Sequence, residues 1–140
     1  MFLDESCNIV NQKIGDFQKE FRIAIWGAGE NTVRLLQYTN LLQYTISYVI
    51  DKKLRGQHFF GWTVIGPEEM LWDRVDVVII TAFEAKDEIR YELEHKIFFQ
   101  GDIVAIHDYL PGSFQRTVFK TCIKPDEESN FIIQSVLLLM

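Results

Sequence analysis

The hydrophobic positions of this chain alternate between short unbroken runs and stripes spaced three or four apart. Unbroken runs bounded by turn residues predict strands covered on both faces, and stripes predict helices. The run Phe21-Arg22-Ile23-Ala24-Ile25-Trp26 is long enough for one buried strand. A glycine turn, Gly27-Ala28-Gly29, follows it. Val33 and Leu36, three apart, and Leu35 and Thr39, four apart, then predict a helix ending near Thr39. Thr45 to Asp51, β-branched and aromatic, predicts a second strand. Residues 58–66 (HFFGWTVIG) read as a hairpin-like excursion closing in a short third strand, Trp62 to Ile65. Pro67-Glu68-Glu69-Met70-Leu71 starts a short helix, with proline in its first turn and acids at its positive end. Val75 to Thr81 is nearly all apolar and predicts a fourth strand. Over 84–97, Ala85, Ile89, Leu93 and Ile97 recur every four positions, and Arg90/Glu94 and Glu92/Lys96 fall one turn apart for pairing. Gly101-Asp102 turns into a last strand, Ile103 to Ile106.

The two ends carry stripes of their own. Residues 1–20 predict an amphipathic helix from Leu3, Cys7, Val10, Ile14 and Phe17, with Gly15 weakening or ending it. The expected role is packing on the chain's own sheet, with a dimer contact as the alternative. Residues 111–140 form an apolar, helical tail. Phe114 to Lys120 fits either a short helix or an extended piece, and Pro125 to Ser129 is a helix start. Phe131 to Met140 is too apolar to leave in water, so it covers the sheet or meets a second copy. A piece of a longer protein would also end this way. This run spans only 10 residues and contains Gln134 and Ser135, whereas a membrane span needs about 20.

Strands alternating with helices define an α/β fold. Right-handed crossovers, with the second half returning beside strand one, give a Rossmann-like doubly wound parallel sheet. About five strands are expected, in the order 3-2-1-4-5, over residues 21–110, flanked by N- and C-terminal helices.

Composition narrows the partners. The chain has 140 residues, 48% of them hydrophobic, enough for one globular domain. Net charge is −6, from 14 basic and 20 acidic residues, with no basic stripe, which argues against a nucleic-acid partner. Cys7 and Cys122 fit no metal spacing. With no signal peptide visible, they suggest free thiols in a reducing cytoplasm.

The candidate chemistry sits at the carboxyl ends of the strands, where open α/β sheets bind ligands. Gly27 allows the tight turn, and Gly29 lets a pyrophosphate approach the backbone at the positive end of the following helix. The candidate cradle is therefore Gly27, Ala28, Gly29, Glu30, Asn31 and Thr32. Thr32 stands where the dinucleotide fingerprint has glycine or alanine, and Glu30 adds charge near the phosphate unless its side chain points away. Asp51 ends strand two, where a carboxylate can accept from both ribose hydroxyls, and Lys52 beside it can hold a phosphate, as can Lys53. Thr81, Ala82 and Phe83 follow strand four, so Thr81 and Phe83 are expected beside Gly27. Thr81 would bond a phosphate or sugar hydroxyl, or cap a helix. His107-Asp108 follows the last strand, but five strands in order place it at an edge, away from the switch point. There is no cysteine nucleophile with a base, no carboxylate cluster and no metal-ligand spacing.

Three runs together resemble a known group: Ile25-Trp26-Gly27-Ala28-Gly29-Glu30, Val49-Ile50-Asp51-Lys52, and Gly56 through Gly61-Trp62-Thr63-Val64-Ile65-Gly66-Pro67-Glu68-Glu69. They look like the small Rossmann-like N-terminal domains of bacterial nucleoside-diphosphate-sugar dehydratases and epimerases, of the UDP-sugar 4-dehydrogenase or 4,6-dehydratase type. Similar modules accompany sugar methyltransferases and acyltransferases of surface-polysaccharide pathways. The likeness covers about residues 21–108. It implies nucleotide contacts at Gly27, Gly29 and Asp51, with NAD, CoA or a nucleotide sugar as ligand. Thr32 departs from the small residue usual there, and the catalytic Tyr-x-x-x-Lys of those enzymes belongs to a different domain of theirs. The expected function is a nucleotide-binding module without its own catalytic set. The alternatives are a fragment of an NAD-dependent dehydrogenase or epimerase, and a ligand-free scaffold that dimerises through its apolar ends.

Overall fold

The computed structural model describes residues 5–109. Its main sheet has four parallel strands, β1 (Arg22–Trp26), β2 (Thr45–Ile50), β5 (Val77–Ile80) and β6 (Asp102–Ala105), in the order β2-β1-β5-β6. A hairpin, β3 (His58–Phe59) with β4 (Trp62–Thr63), stands apart as a second sheet. The helices are α1 (Glu5–Gly15), α2 (Glu30–Tyr38) and α3 (Lys86–His95).

Alternation along each strand feeds two cores, as expected of a sheet covered on both faces. Ile23 and Ile25 of β1 and Val77 and Ile79 of β5 meet Val10 and Ile14 of α1 and Leu35 and Leu36 of α2. Ala24, Trp26, Val78 and Ile80 face the other way, onto Ile89 and Leu93 of α3. The result is a three-layer α/β arrangement consistent with a Rossmann-like fold. Arg22 and Asp76 fasten the entry of β1 to that of β5: Arg22 N donates to Asp76 Oδ2 at 2.8 Å and Arg22 Nε to the same oxygen at 3.0 Å.

The expected third strand is reduced to one bridge beside β2, so the order 3-2-1-4-5 becomes four strands with a remnant. Trp62 and Thr63 pair with Phe59 and His58 around the turn residues Phe60 and Gly61, both at positive φ, which suits a tight hairpin. Val64 spends its backbone on Gln57 O and Gly56 N. Only the backbone of Ile65 is left to bond β2, through Val49 O and Asp51 N, and Pro67 then opens a 3-10 turn.

Other boundaries moved as well. The helix expected over 1–20 stops at Gly15, and Val10, Ile14 and Phe17 lie buried on the chain's own sheet. The helix expected over 84–97 is shorter, and its ion pairs reach other elements instead: Arg90 binds Asp108, and Glu92 binds Lys52. Leu3, Cys122 and the tail of residues 111–140, with the contacts expected of Phe131 to Met140, lie outside the described residues. No helix among the described residues is long and apolar enough to cross a membrane.

Candidate functional site

The strand order reverses between β1 and β5, and the Gly27-Ala28-Gly29 turn stands at that point. Gly27 takes φ +133°, and a Cβ there would meet Thr81 Oγ1 at 2.1 Å, so the fold itself requires glycine. Its N–H donates to Ile50 O at 2.7 Å, drawing the turn toward β2. Gly29 differs. It is exposed, has an ordinary φ of −109°, and nothing lies within 4 Å of a Cβ built there. It precedes the first turn of α2, where opening N–H groups lack intrahelical acceptors.

Thr32 is wholly buried, and its hydroxyl donates to Gly27 O at 2.6 Å. The Thr81 hydroxyl lies 2.7 Å from that of Thr32 and so donates to it. A threonine thus fits the small-residue position by tying helix to turn. Thr81 is itself buried, which withdraws its side chain from the surface where a phosphate or sugar hydroxyl was expected. Glu30 pairs with Arg34 one helical turn on, its side chain 73% exposed, so its charge is directed away from the turn.

Asp51 closes the turn from the β2 side. Its Oδ2 accepts from Ala28 N at 3.1 Å, and its Oδ1 accepts from Lys53 N at 2.9 Å and Leu54 N at 3.1 Å. A carboxylate offers about four acceptor positions. One is left on Oδ2, so a grip on both ribose hydroxyls would displace a backbone bond.

Beside the turn is a cleft of about 460 Å³, lined by Trp26, Gly27, Asp51, Lys52, Lys53, Ala82, Ala85, Glu88, Ile89 and Glu92. Gly27, Asp51, Lys52 and Ala82 thus come together from three strand ends. Trp26 and the α3 residues were not singled out beforehand. Ala85, Glu88, Ile89 and Glu92 occupy one helical face, a spacing visible in the sequence but open to reading as packing alone. Lys52 Nζ crosses the mouth to Glu92 Oε1 at 2.8 Å. A cavity of about 490 Å³ lies at the amino ends of the strands, between Phe21, Trp72 and Phe99, the opposite end from where such sheets take ligands.

Phe83 and Asn31 belong to the other flank. Phe83 packs edge-on to His107 at 5.0 Å, and Asn31 Nδ2 donates to Thr81 O at 3.2 Å and lies 3.4 Å from His107 Nε2. His107 follows the edge strand β6, as expected, and the 3-10 turn Ile106–Tyr109 sets its ring beside Asn31 at the start of α2. Burial, aided by the Lys86 ammonium and opposed by Asp108, holds its pKa down to about 4, so the ring is neutral at pH 7. Asp108 serves Lys86 and Arg90. Burial raises its pKa, and the hydrogen bonds from Arg90 and Lys86 more than reverse this, leaving it below the ordinary carboxylate value. His58 and His95 are exposed, His95 tilted against Tyr91.

The topology and the glycine turn define a Rossmann-like α/β domain with a cleft at its switch point. Residues 19–102, more than half the chain, match the family described as C2185-like, N-terminal. The chain belongs to that family. A comparison with curated proteins found no match. Among solved structures, aspartate semialdehyde dehydrogenase II from Vibrio cholerae, complexed with ASA, is similar over 49% of this chain and 26% of its own, with 22% identity and a TM-score of 0.39. The similar part is about a quarter of that enzyme, and a likeness of this extent carries nothing about activity. None of these findings links the chain to sugar dehydratases.

Proposed function

We propose that this domain binds a nucleotide, NAD or a nucleotide sugar, at the carboxyl end of its sheet. It serves as a binding module without a catalytic set of its own, in sugar-nucleotide or surface-polysaccharide metabolism. The observation that carries the reading is the convergence of the Gly27 turn, the Asp51 carboxylate and the Lys52–Glu92 pair around one cleft at the strand-order reversal. The bare surface at Gly29 supports it, because the fold makes no use of the missing side chain.

In this reading the phosphates meet the start of α2 at Gly29, Glu30 and Asn31, and the nucleoside enters the cleft past Asp51 and Ala82. NAD bound there would supply a hydride acceptor, while this chain supplies binding and orientation. The sugar-nucleotide context rests on the resemblance of the three runs within residues 25–69, and a cytoplasmic setting on the cysteine usage.

Thermal-shift measurements against NAD, NADP, CoA and UDP-sugars test the reading. At millimolar ligand a micromolar binder adds about 4 kcal/mol of stability, and at least one of the four should do so. If none moves the transition, the domain is not a nucleotide-binding module.

A further inference from the structure

The cavity of about 490 Å³ at the amino ends of the strands lies opposite the nucleotide cleft, and its volume is that of a small-ligand site. Its walls are aromatic, from Phe21, Trp72, Phe98 and Phe99. Trp72 is fixed in place, its ring stacked on Trp26 at 6.1 Å and edge-on to Phe99 at 5.8 Å. The charged lining is all of one sign, from Asp73, Asp76 and Asp102. Arg22 is committed to Asp76, through Nε at 3.0 Å and Nη2 at 3.3 Å, which leaves the carboxylates of Asp73 and Asp102 without an ion pair among the described residues.

Phe98 is out of place for the fold alone. Phe99 N donates to Leu93 O at 2.8 Å, closing α3 as a Schellman turn does, and Phe98 takes the left-handed position at φ +56°. Glycine or asparagine suits that position, and a bulky side chain is disfavoured there. The chain nevertheless has phenylalanine, 65% exposed at the rim of the cavity. Gln100 Nε2 steadies this turn by donating to Phe98 O at 2.9 Å. Packing makes little use of the ring, so its use lies in what the cavity takes up.

We propose that this cavity binds a small guanidinium compound, whose planar head stacks on Trp72 and Phe98 and donates to the carboxylates of Asp73 and Asp102. A cation is attracted to the face of an aromatic ring, tryptophan most strongly. Guanidinium is planar, weakly hydrated and carries its donors in its own plane, so one group lies on a ring and still reaches carboxylates at its edge. An ammonium is more strongly hydrated and has no flat face to stack. A quaternary ammonium has no donor for the carboxylates, and a neutral ring would use the walls and leave both charges unmet.

Magnetic-resonance titration of the full chain with butylguanidinium, butylurea, butylammonium and butyltrimethylammonium tests this, since the four share a tail and differ in the head. Butylguanidinium should shift the Trp72 indole N–H and the amides of residues 98–102, and should bind about tenfold more tightly than each of the others. Asp73→Asn and Asp102→Asn, both at exposed positions, should each weaken it by about threefold. Phe98→Gly should hold or raise the unfolding midpoint, because glycine suits φ +56°, while weakening butylguanidinium about fivefold. A ring that served only the fold would change stability and leave affinity alone. Equal binding of butylurea would remove the role of charge, and equal binding of either ammonium would remove the selection of guanidinium. Shifts confined to the carboxyl ends of the strands, unchanged affinity in Phe98→Gly, or no saturable binding of butylguanidinium would each overturn the site.

Discussion

The hydroxyls of Thr32 and Thr81 lie 2.7 Å apart behind the glycine turn, and the Thr32 hydroxyl donates to Gly27 O at 2.6 Å. Helix α2, the turn and the end of β5 are therefore joined by one buried chain of donors. Thr32→Val removes the donor to a buried carbonyl and should cost about 1–3 kcal/mol in urea unfolding. Thr81→Val should cost less, because Gly27 O keeps its short bond from Thr32 and the Thr81 hydroxyl reaches Trp26 O and Gly27 O only at 3.3 and 3.4 Å. Since the two hydroxyls act in series, the double variant should lose less than the sum of the single losses. Strict additivity would mean the two hydroxyls stabilise the fold independently.

The two glycines of the turn should respond oppositely. Gly27→Ala places a side chain at φ +133° and drives its Cβ to 2.1 Å from Thr81 Oγ1, so it should lose about 1–3 kcal/mol or more. Gly29→Asp meets open space and puts a favoured capping residue before α2. Its unfolding midpoint should hold or rise, while any nucleotide-induced thermal shift disappears through charge repulsion. A shift as large as the wild type's would mean that the phosphates lie elsewhere.

These contrasts mark where the sequence could be read. The runs at Ile23, Val77 and their neighbours are apolar on both faces, so the parallel order β2-β1-β5-β6 followed from periodicity and crossover handedness. The missing strand did not, because whether Val64 bonds to β2 or back to Gly56 and Gln57 is a choice among backbone partners that leaves no hydrophobic signature. The ion pairs expected along α3 failed for a related reason. Local spacing paired Glu92 with Lys96, but the fold delivers Lys52 from a strand end far away in sequence. Thr81 was correctly expected beside Gly27, whereas the direction of its hydroxyl depended on Thr32 filling the space between them.

Asp51 accepts three backbone N–H groups and so holds both the glycine turn and the loop after β2. Asp51→Ala should destabilise by about 2 kcal/mol, since those donors lose a charged acceptor at a partly buried position. Asp51→Asn keeps the shape and one acceptor oxygen and should lose less. If ligand binding falls in Asp51→Asn while stability stays near the wild type, the remaining Oδ2 position serves the ligand. If binding follows stability in both variants, Asp51 acts only by shaping the turn.

His107 sets a pH window of its own. Its folded pKa is held down to about 4 from the ordinary 6.5, first by burial and then by Lys86, with Asp108 opposing. The unfolded chain therefore binds a proton in this range that the folded chain does not. The stabilising contribution is complete above about pH 6.5 and is lost as pH falls toward 4, at up to about 1.4 kcal/mol per unit. Asp76 is lowered by its Arg22 hydrogen bonds, and Asp108 lies below 3.8 as well, so both act below that window: their contributions are lost as pH falls under about 4. Denaturant unfolding at pH 7, 6, 5 and 4.5 should show stability falling across the series. His107→Gln, which keeps a polar group near Asn31 but cannot take up a proton, should flatten the fall while leaving the steeper loss below pH 4. An unchanged slope in that variant would place the acid sensitivity on some other group.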